Sequence, residues 1–261
     1  MKLKIKLTRP KIFSLVLAFC VAVIAAAGGS VAYFTDTKAT ENVFTAGNVY
    51  IELSEAAVKA DSVGNLLEDT EKDRIVGAEI DSTTPTVVDY GCLFPGQTIH
   101  KDPTIKNVGK NSAWVAAKVI ITDGNGDIGR LYGYSSTDSS IDIKGLLQGG
   151  LLGESCHNGE WNGMTGVRYN ENYAMVQASN RANGEYVFYF FMLNKLEKGE
   201  SVELFDTMLV DPYFGNAEME EFAQLKIDVE AYAVQSFGFS GCYEAMNEAF
   251  ADQFAATRQT P

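Results

Sequence analysis

Histidine, cysteine and basic residues are scarce in this chain, and each shortage argues against a class of function. Among 261 residues there are two histidines, His100 and His157, and four cysteines. Basic residues number 21 against 34 acidic ones, which gives a formal net charge of −13. Because nucleic-acid binding needs clustered lysine and arginine to neutralise phosphates, this balance predicts no nucleic-acid partner. The 46% of hydrophobic residues is typical of a globular protein that can bury a core.

The sequence also lacks the motifs of the common enzyme classes. It contains no H-E-x-x-H zinc motif, no G-x-S-x-G nucleophile turn and no glycine-rich phosphate loop. A zinc site that combines His157 with Glu154 or Glu160 is conceivable, but surface histidines in loops are the simpler interpretation. We therefore predict that the protein is not an enzyme and that it has no catalytic residues, no cofactor and no metal site.

One acidic segment has the opening spacing of a calcium-binding loop. Asp123, Asn125 and Asp127 alternate with glycines, but Ile128 and Tyr134 occupy the positions where such a loop needs glycine and glutamate. A turn rich in glycine and asparagine is the better interpretation. Weak calcium binding by the acidic surface stays open.

The first 32 residues have the order of a secretory signal peptide. Five basic residues and no acidic residue lie within the first eleven positions, and an apolar run follows from Ile12 to Ala27. Small residues from Gly28 to Ala32 then complete an A-x-A-like cleavage site. This order predicts an exported protein, cleaved between Ala32 and Tyr33.

An uncleaved membrane anchor is the alternative interpretation of this leader. The apolar run would span about 24 Å as a helix, which is less than the ~30 Å of hydrocarbon in a bilayer. Cys20 follows the bulky Phe19 in the middle of the run, so lipid attachment is disfavoured. Cleavage would leave 16 basic against 34 acidic residues, a net charge near −18.

Residues 33–261 are predicted to form a single domain that is mainly β. Alternating apolar residues mark half-buried strands, as at Val49, Ile51 and Leu53. The segment from Tyr186 to Leu196 is apolar on both faces, which predicts a central strand. Further strands are expected at Thr98 to Asn107 and Ser112 to Thr122, as a hairpin-like pair, and at Val202 to Val210 and Leu225 to Val234. Six or more strands separated by turns predict an antiparallel β-sandwich.

The segments between these strands are predicted to be loops or short helices. Ala56 to Asp89 is predicted to be a long loop or small insertion, and Asp123 to Gly153 a loop with a short helix near Ile143 to Leu147. Helices are also expected at Asn216 to Gln224 and, at helical apolar spacing, at Cys242 to Phe254.

Three cysteines remain after cleavage, namely Cys92, Cys156 and Cys242. One disulfide with a free thiol, or three thiols, are both compatible with the sequence, which cannot choose the pairing.

Several motifs together resemble the exported proteins with SipW-type signal peptides, the TasA and camelysin family. They are the leader ending GGSVAYFTD, then NVFTAGNVYIEL, LFPGQTIHKDPTIKNVGKNSAWV, LEKGESVELFD and LKIDVEAYAVQSFGF. The leader signature is fairly specific, whereas the P-G, N-x-G and K-G-E turns alone are weak signals. The stretch Ala56 to Asp89 and the loop Asp123 to Met175 depart from the family's pattern, so their role stays open.

The resemblance implies a jelly-roll-like sandwich at the surface of a Gram-positive bacterium, released by a SipW-like signal peptidase. It implies a structural subunit of extracellular biofilm-matrix fibres, whose partners are further copies of itself, head to tail, and other matrix proteins. In such fibres the N-terminal segment of one subunit adds as a strand to its neighbour, which here would be Tyr33 to Thr45 with Phe34, Val43 and Phe44 as apolar anchors.

Two alternatives remain at this point. The N-terminal segment could be an intramolecular first strand or a frayed terminus. The protein as a whole could be a camelysin-like surface metalloprotease or a monomeric surface-binding module that uses the same export route.

Overall fold

Strands dominate the part of the chain that the structure describes. The structure, a computed structural model, describes residues 35–38, 49–76, 93–122, 128–132, 143–152, 157–161, 164–168, 172–180 and 185–257. These residues contain sixteen strands and a few short helices, and all of them fall in one compact unit, Phe34–Pro261. The all-β expectation is confirmed.

Seven strands form the largest sheet, and every neighbouring pair in it is antiparallel. In order across the sheet they are β1 (Thr35–Lys38), β16 (Lys226–Gln235), β8 (Ala113–Thr122), β13 (Glu185–Met192), β12 (Tyr173–Asn180), β11 (Met164–Arg168) and β10 (His157–Trp161). The predicted central strand is therefore β13, between β8 and β12.

Two smaller sheets make up the opposite layer. The first contains, in order, β14 (Ser201–Glu203), β7 (Thr104–Asn107), β2 (Ile51–Glu55) and β5 (Ile75–Val76). The second contains β3 (Val58–Ala60), β4 (Leu66–Glu68), β6 (Thr98–His100), β15 (Thr207–Leu209) and β9 (Leu147–Gln148). The chain passes between the two sheets from β2 to β3, from β6 to β7 and from β14 to β15, so one sheet continues the other. β4 and β6 are parallel. The expectation of a wholly antiparallel fold is therefore wrong for this pair.

The main hydrophobic core lies between these two layers. Alternate residues of β8 and β13 face it, and the small sheets contribute the isoleucines of β2, β6 and β7. Fully buried members of this core are Ile51, Ile99, Ile105, Val115, Val119, Ile121, Phe188, Phe190 and Phe205. The alternation at Val49, Ile51 and Leu53 is confirmed, because all three side chains are buried here.

The helices are short and lie on the surface of the β layers. They are α1 (Ile128–Tyr132), α2 (Ile143–Leu146), α3 (Asn216–Phe222), α4 (Cys242–Ala249) and a 3-10 turn, Ala255–Thr257. The predicted helices near Ile143 and Asn216 and at the C-terminus are therefore present. Within the described ranges, no helix has both the length and the apolar character needed to cross a membrane.

A second core covers the outer face of the seven-stranded sheet. Tyr189 and Phe191 of β13 and Tyr232 and Val234 of β16 pack there against α4 and the residues that follow it. This face of β16 is therefore polar only at its start. Lys226, Asp228 and Glu230 lie on that face before α4 covers the rest of the strand.

Two segments expected to be loops contain strands instead. Within Ala56 to Asp89, the described residues include β3, β4 and β5; within Asp123 to Met175, they include β9, β10, β11 and the start of β12. These strands are short, and β10 and β11 are rich in polar residues and glycine. Their alternation is consequently too weak to indicate a strand without the neighbouring strands that complete their hydrogen bonds.

The predicted hairpin between Thr98–Asn107 and Ser112–Thr122 is also wrong. β7 belongs to the four-stranded sheet, whereas β8 belongs to the seven-stranded sheet. Residues 108–112 carry the chain across the core from one layer to the other. A two-strand signal with a short connection does not distinguish a hairpin from such a crossover.

Cys242, the first residue of α4, is a buried free thiol. Its Sγ donates to the carbonyl oxygen of Val115 at 3.1 Å, and burial raises the pKa of the thiol. Cys92 and Cys156 lie outside the described residues.

The second core provides a test of the fold. Phe254 is completely buried against Tyr189, Phe191, Tyr232 and Phe250. We expect Phe254→Ala to lower the free energy of unfolding by about 3–5 kcal/mol, because it leaves a cavity under the C-terminal segment. Urea denaturation measures this loss. Phe237→Ala, at an exposed ring, is the control and should change stability by less than about 0.5 kcal/mol; equal losses in the two variants would contradict the second core.

Candidate functional site

The residues assigned to cleavage and strand donation lie outside the described part of the chain. This applies to Ala32 and Tyr33 at the cleavage point and to Phe34, Val43 and Phe44 as anchors. Of the predicted donor segment, the structure describes Thr35–Lys38, which form β1.

β1 lies on the edge of the seven-stranded sheet, against β16 of the same chain. The pairing is antiparallel, from Thr35 opposite Val234 to Lys38 opposite Ala231. This is the arrangement of the intramolecular alternative, and the same pairing with β16 of a neighbouring copy is what strand donation would require.

β1 pairs with the C-terminal half of β16. Its described residues lie opposite Ala231 to Val234, four of the ten residues of β16. The N-terminal half of β16 carries Lys226 and Asp228, whose charged groups are 3.0 Å apart. Charged side chains near the edge of a sheet disfavour indiscriminate pairing. The pairing that β16 accepts on this edge is therefore selective.

The other side of β16 is held rigidly. All ten of its residues pair with β8, from Lys226 opposite Thr122 to Gln235 opposite Ala113. Near β1, Ala231 and Ala233 face the main core and Tyr232 and Val234 face the second core, and all four side chains are buried. β16 is thus a fixed template for the strand on its edge.

A second candidate site is a cluster of charged side chains where the two small sheets meet. We call it the Asp102 cluster, and it comprises Ser54, Arg74, His100, Asp102 and Thr104. Asp102 is buried directly after β6 and accepts the backbone N–H of Ala56 at 2.7 Å.

Arg74 is the centre of this cluster. Its Nη1 donates to Asp102 Oδ2 at 2.5 Å, and its Nε donates to Ser54 Oγ at 3.0 Å. Its Nη2 donates to Thr104 Oγ1 at 2.9 Å and to the carbonyl oxygen of Asp102 at 3.0 Å. One guanidinium therefore joins the inserted segment 56–76 to β2 and to the β6–β7 connection.

Lys101 and Glu55 form a second buried ion pair beside this cluster. Lys101 Nζ donates to both Glu55 carboxylate oxygens, at 2.9 and 3.0 Å, and both side chains are largely buried. Buried charges that are paired and hydrogen-bonded fix one arrangement of the chain, since breaking the pair would leave an unpaired charge in the interior.

His100 is the last residue of β6 and its side chain is 21% exposed, so it is not the surface histidine in a loop that was expected. Its Nε2 is buried, has no hydrogen-bond partner among the described residues and lies 3.7 Å from Asp102 Oδ2. The Asp102 carboxylate raises the pKa of His100 above its usual value, although burial opposes this, and the carboxylates of Glu68 and Asp206 add to the effect.

The carboxyl groups around His100 respond to burial in different ways. Burial disfavours the ionised form of Asp102, but His100, Arg74 and the Ala56 N–H outweigh it and lower the pKa of Asp102. Glu203 has no such donors, so burial, assisted by Asp102 and Asp206, raises its pKa. The cluster therefore holds Asp102 as an ion and favours a protonated imidazole beside it.

His157, the histidine considered for a zinc site, is the first residue of β10 and so does not lie in a loop. Glu160 is in the same strand, and Glu154 lies outside the described residues. Among the described residues, no group of three or more histidine, cysteine, aspartate or glutamate side chains is placed to hold a metal ion. The acidic segment Asp123 to Asp127 and Tyr134 also lie outside them.

No protein-family model, curated protein or solved structure matches this chain.

Sequence reasoning did not find the Asp102 cluster. Arg74 and Asp102 are far apart in the sequence, and Arg74 is in a polar segment without periodicity. The one local signal is the sequence His100-Lys101-Asp102-Pro103, which places three charged or titratable residues at the end of β6. The hydroxyl oxygens of Ser54 and Thr104 both accept hydrogen bonds from Arg74, so the arrangement of the cluster supports a structural role.

Arg74 provides a test of that role. We expect Arg74→Met to lower the free energy of unfolding by about 3 kcal/mol, because Asp102 would be left buried and unpaired. Asp102→Asn added to Arg74→Met should recover part of the loss, since the unpaired charge is removed. Lys195→Met breaks an exposed ion pair and should cost less than about 1 kcal/mol. A loss for Arg74→Met as small as that control, measured by urea denaturation, would contradict the role.

His100 should make stability depend on pH. Because its pKa is raised in the folded state, its contribution is fully present below its unfolded pKa of about 6.5 and is lost as pH rises through the folded value. The difference in unfolding free energy between the wild type and His100→Gln should therefore be larger at about pH 5.5 than at about pH 8.5. A difference independent of pH would show that the imidazole is not charged beside Asp102.

Proposed function

We propose that this chain is a secreted structural subunit of an extracellular matrix fibre, with a jelly-roll-like fold, and that it assembles by donating its N-terminal strand to a neighbour. The observation that carries the proposal is the position of β1. It follows the predicted cleavage point by two residues and pairs with β16 at the edge of the seven-stranded sheet.

The geometry of the edge supports a contact between copies. A four-residue strand has few main-chain hydrogen bonds to lose, so its exchange for the same strand of a neighbour costs little. The exchanged pairing would repeat every hydrogen bond of the internal one. Since donor and acceptor are different surfaces, each added copy leaves a new edge free, and the assembly grows as a filament.

The cleavage step would control when assembly begins. Before cleavage, the predicted donor segment continues directly into the apolar leader and has no free end. After cleavage between Ala32 and Tyr33, the segment is free to leave its own β16 and reach another. The proposed partners are therefore a SipW-like signal peptidase, further copies of the chain and other matrix proteins, at the surface of a Gram-positive bacterium.

Substitution within β1 tests strand donation. Proline cannot donate a ladder hydrogen bond, so Asp36→Pro with Thr37→Pro removes a donor whichever of the two faces β16. We expect electron microscopy of the chain from Tyr33 to Pro261 to reveal filaments, and the proline variant to form none. Asp36→Ala with Thr37→Ala is the matched control and should still form filaments, because main-chain bonds carry the pairing.

The opposite results would separate the alternatives. Filaments formed by the proline variant would contradict strand donation. A wild type that stays monomeric at every concentration would favour an intramolecular β1 in a surface-binding module.

A further inference from the structure

The two most exposed large apolar side chains among the described residues are aromatic and lie at opposite ends of the molecule. Tyr213 is 94% exposed and Phe237 is 87% exposed. Phe237 follows Gln235, which pairs with Ala113 at one end of the β8–β16 ladder. Tyr213 lies in the connection that runs from Leu209 to Lys226. Leu209 pairs with Thr98 at the outer end of the five-stranded sheet, and Lys226 is at the other end of the β8–β16 ladder from Gln235.

Phe237 is presented by a fixed turn. The preceding Ser236 donates its N–H to the Ser112 carbonyl oxygen at 3.2 Å, and the two hydroxyl groups lie 2.7 Å apart. Phe239 packs on the second core, and Gly238 between the two rings has a φ of +95°, which favours glycine. The ring is thus exposed by the shape of the backbone and is not on a loose loop.

An open groove of about 730 Å³ lies beside Phe237, lined by residues 110–112, Lys195 and residues 235–238. Its charged lining groups are the two lysines Lys110 and Lys195, in a chain whose net charge is −13. Lys195 also pairs with exposed Glu197 at 3.2 Å. We call this surface the Phe237 groove. It combines an aromatic wall with positive charge and therefore suits an aromatic ring with carboxylates beside it.

Tyr213 is presented in the same way at the other end. Asp211 Oδ1 accepts the N–H of Tyr213 at 2.8 Å, and the next residue, Phe214, is anchored against Tyr132 with ring centroids 5.4 Å apart. Helix α3 follows directly and carries Glu218, Glu220 and Glu221. The Tyr213 turn, residues 211–214, is thus an exposed ring with carboxylates on both sides.

We propose that the Phe237 groove of one copy receives the Tyr213 turn of a second copy. Charge complementarity favours a second copy as the occupant, because the lining of the groove is basic and the described residues around Tyr213 are acidic. Each of the two exposed rings is also presented by a hydrogen-bonded turn. The contact joins opposite ends, so it is directional and runs along the strands. The inference rests on the proposed fibre function, since it names a second contact that would hold neighbouring copies in line.

Complementation between two variants tests the contact. In the chain from Tyr33 to Pro261, Phe237→Ala and Tyr213→Ala should each weaken self-association about tenfold in sedimentation velocity. An equimolar mixture should restore a dimer, because the Tyr213 turn of the first variant can enter the intact groove of the second. Both side chains are exposed, so neither truncation is expected to affect folding, which thermal unfolding verifies.

Two further variants sharpen the result. Lys110→Glu should weaken association, and the effect should shrink at high salt because charges at an exposed surface are screened. Val76→Ala, at an exposed apolar residue on β5 away from both ends, is the matched control and should change nothing. Three results would overturn the contact. The mixture could fail to restore a dimer, Phe237→Ala could weaken association while Tyr213→Ala does not, or Val76→Ala could weaken association as much as the ring variants do.

Electron microscopy of the same samples separates this contact from the fibre function. Wild-type filaments that persist unchanged in both ring variants would overturn the end contact and leave strand donation in place. Mixture-dependent dimers from a chain that forms no filaments would support the contact and overturn the fibre function.

Discussion

The pairing of β8 with β16 is the constraint on which the rest of the structure depends. Ten consecutive residue pairs join these strands, and alternate side chains of both are buried on opposite faces of the sheet. A sheet that is apolar on both faces must be covered twice. The small sheets supply one cover, and the C-terminal segment from Cys242 to Phe254 supplies the other. On the outer edge of β16, four residues pair with the described residues of β1.

The second layer is held by charge as well as by apolar packing. Its two sheets are short, and several of their strands have two or three residues, so hydrogen bonding between strands alone would define them poorly. Two ion pairs add to this hydrogen bonding, because Arg74 pairs with the buried Asp102 and Lys101 pairs with Glu55. The inserted segment 56–76 is thereby fixed against β2 and β7.

The two proposed contacts between copies would both be directional. The proposed acceptor edge runs along β16, and the Phe237 groove lies at the end of the same strand, next to Val234, which pairs with Thr35. A neighbour whose strand joined that edge would also approach the groove. Strand pairing supplies affinity through the main chain, whereas rings and charges at the ends supply selectivity. Neither contact needs a catalytic group, which agrees with the structural role of the Asp102 cluster.

The sequence by itself determined the class of fold, the strands with strong apolar patterns and the positions of helices α2, α3 and α4, but not α1. Val49 to Leu53 and Val115 to Ile121 could be predicted from their period-two alternation, and Tyr186 to Met192 from a run that is apolar on both faces. The assignment of β7 and β8 to different layers could not, since a short connection serves a hairpin and a crossover equally. Nor could the Arg74–Asp102 pair or the opposed positions of Tyr213 and Phe237. Those depend on contacts between residues distant in the sequence, and only the tertiary structure brings such residues together.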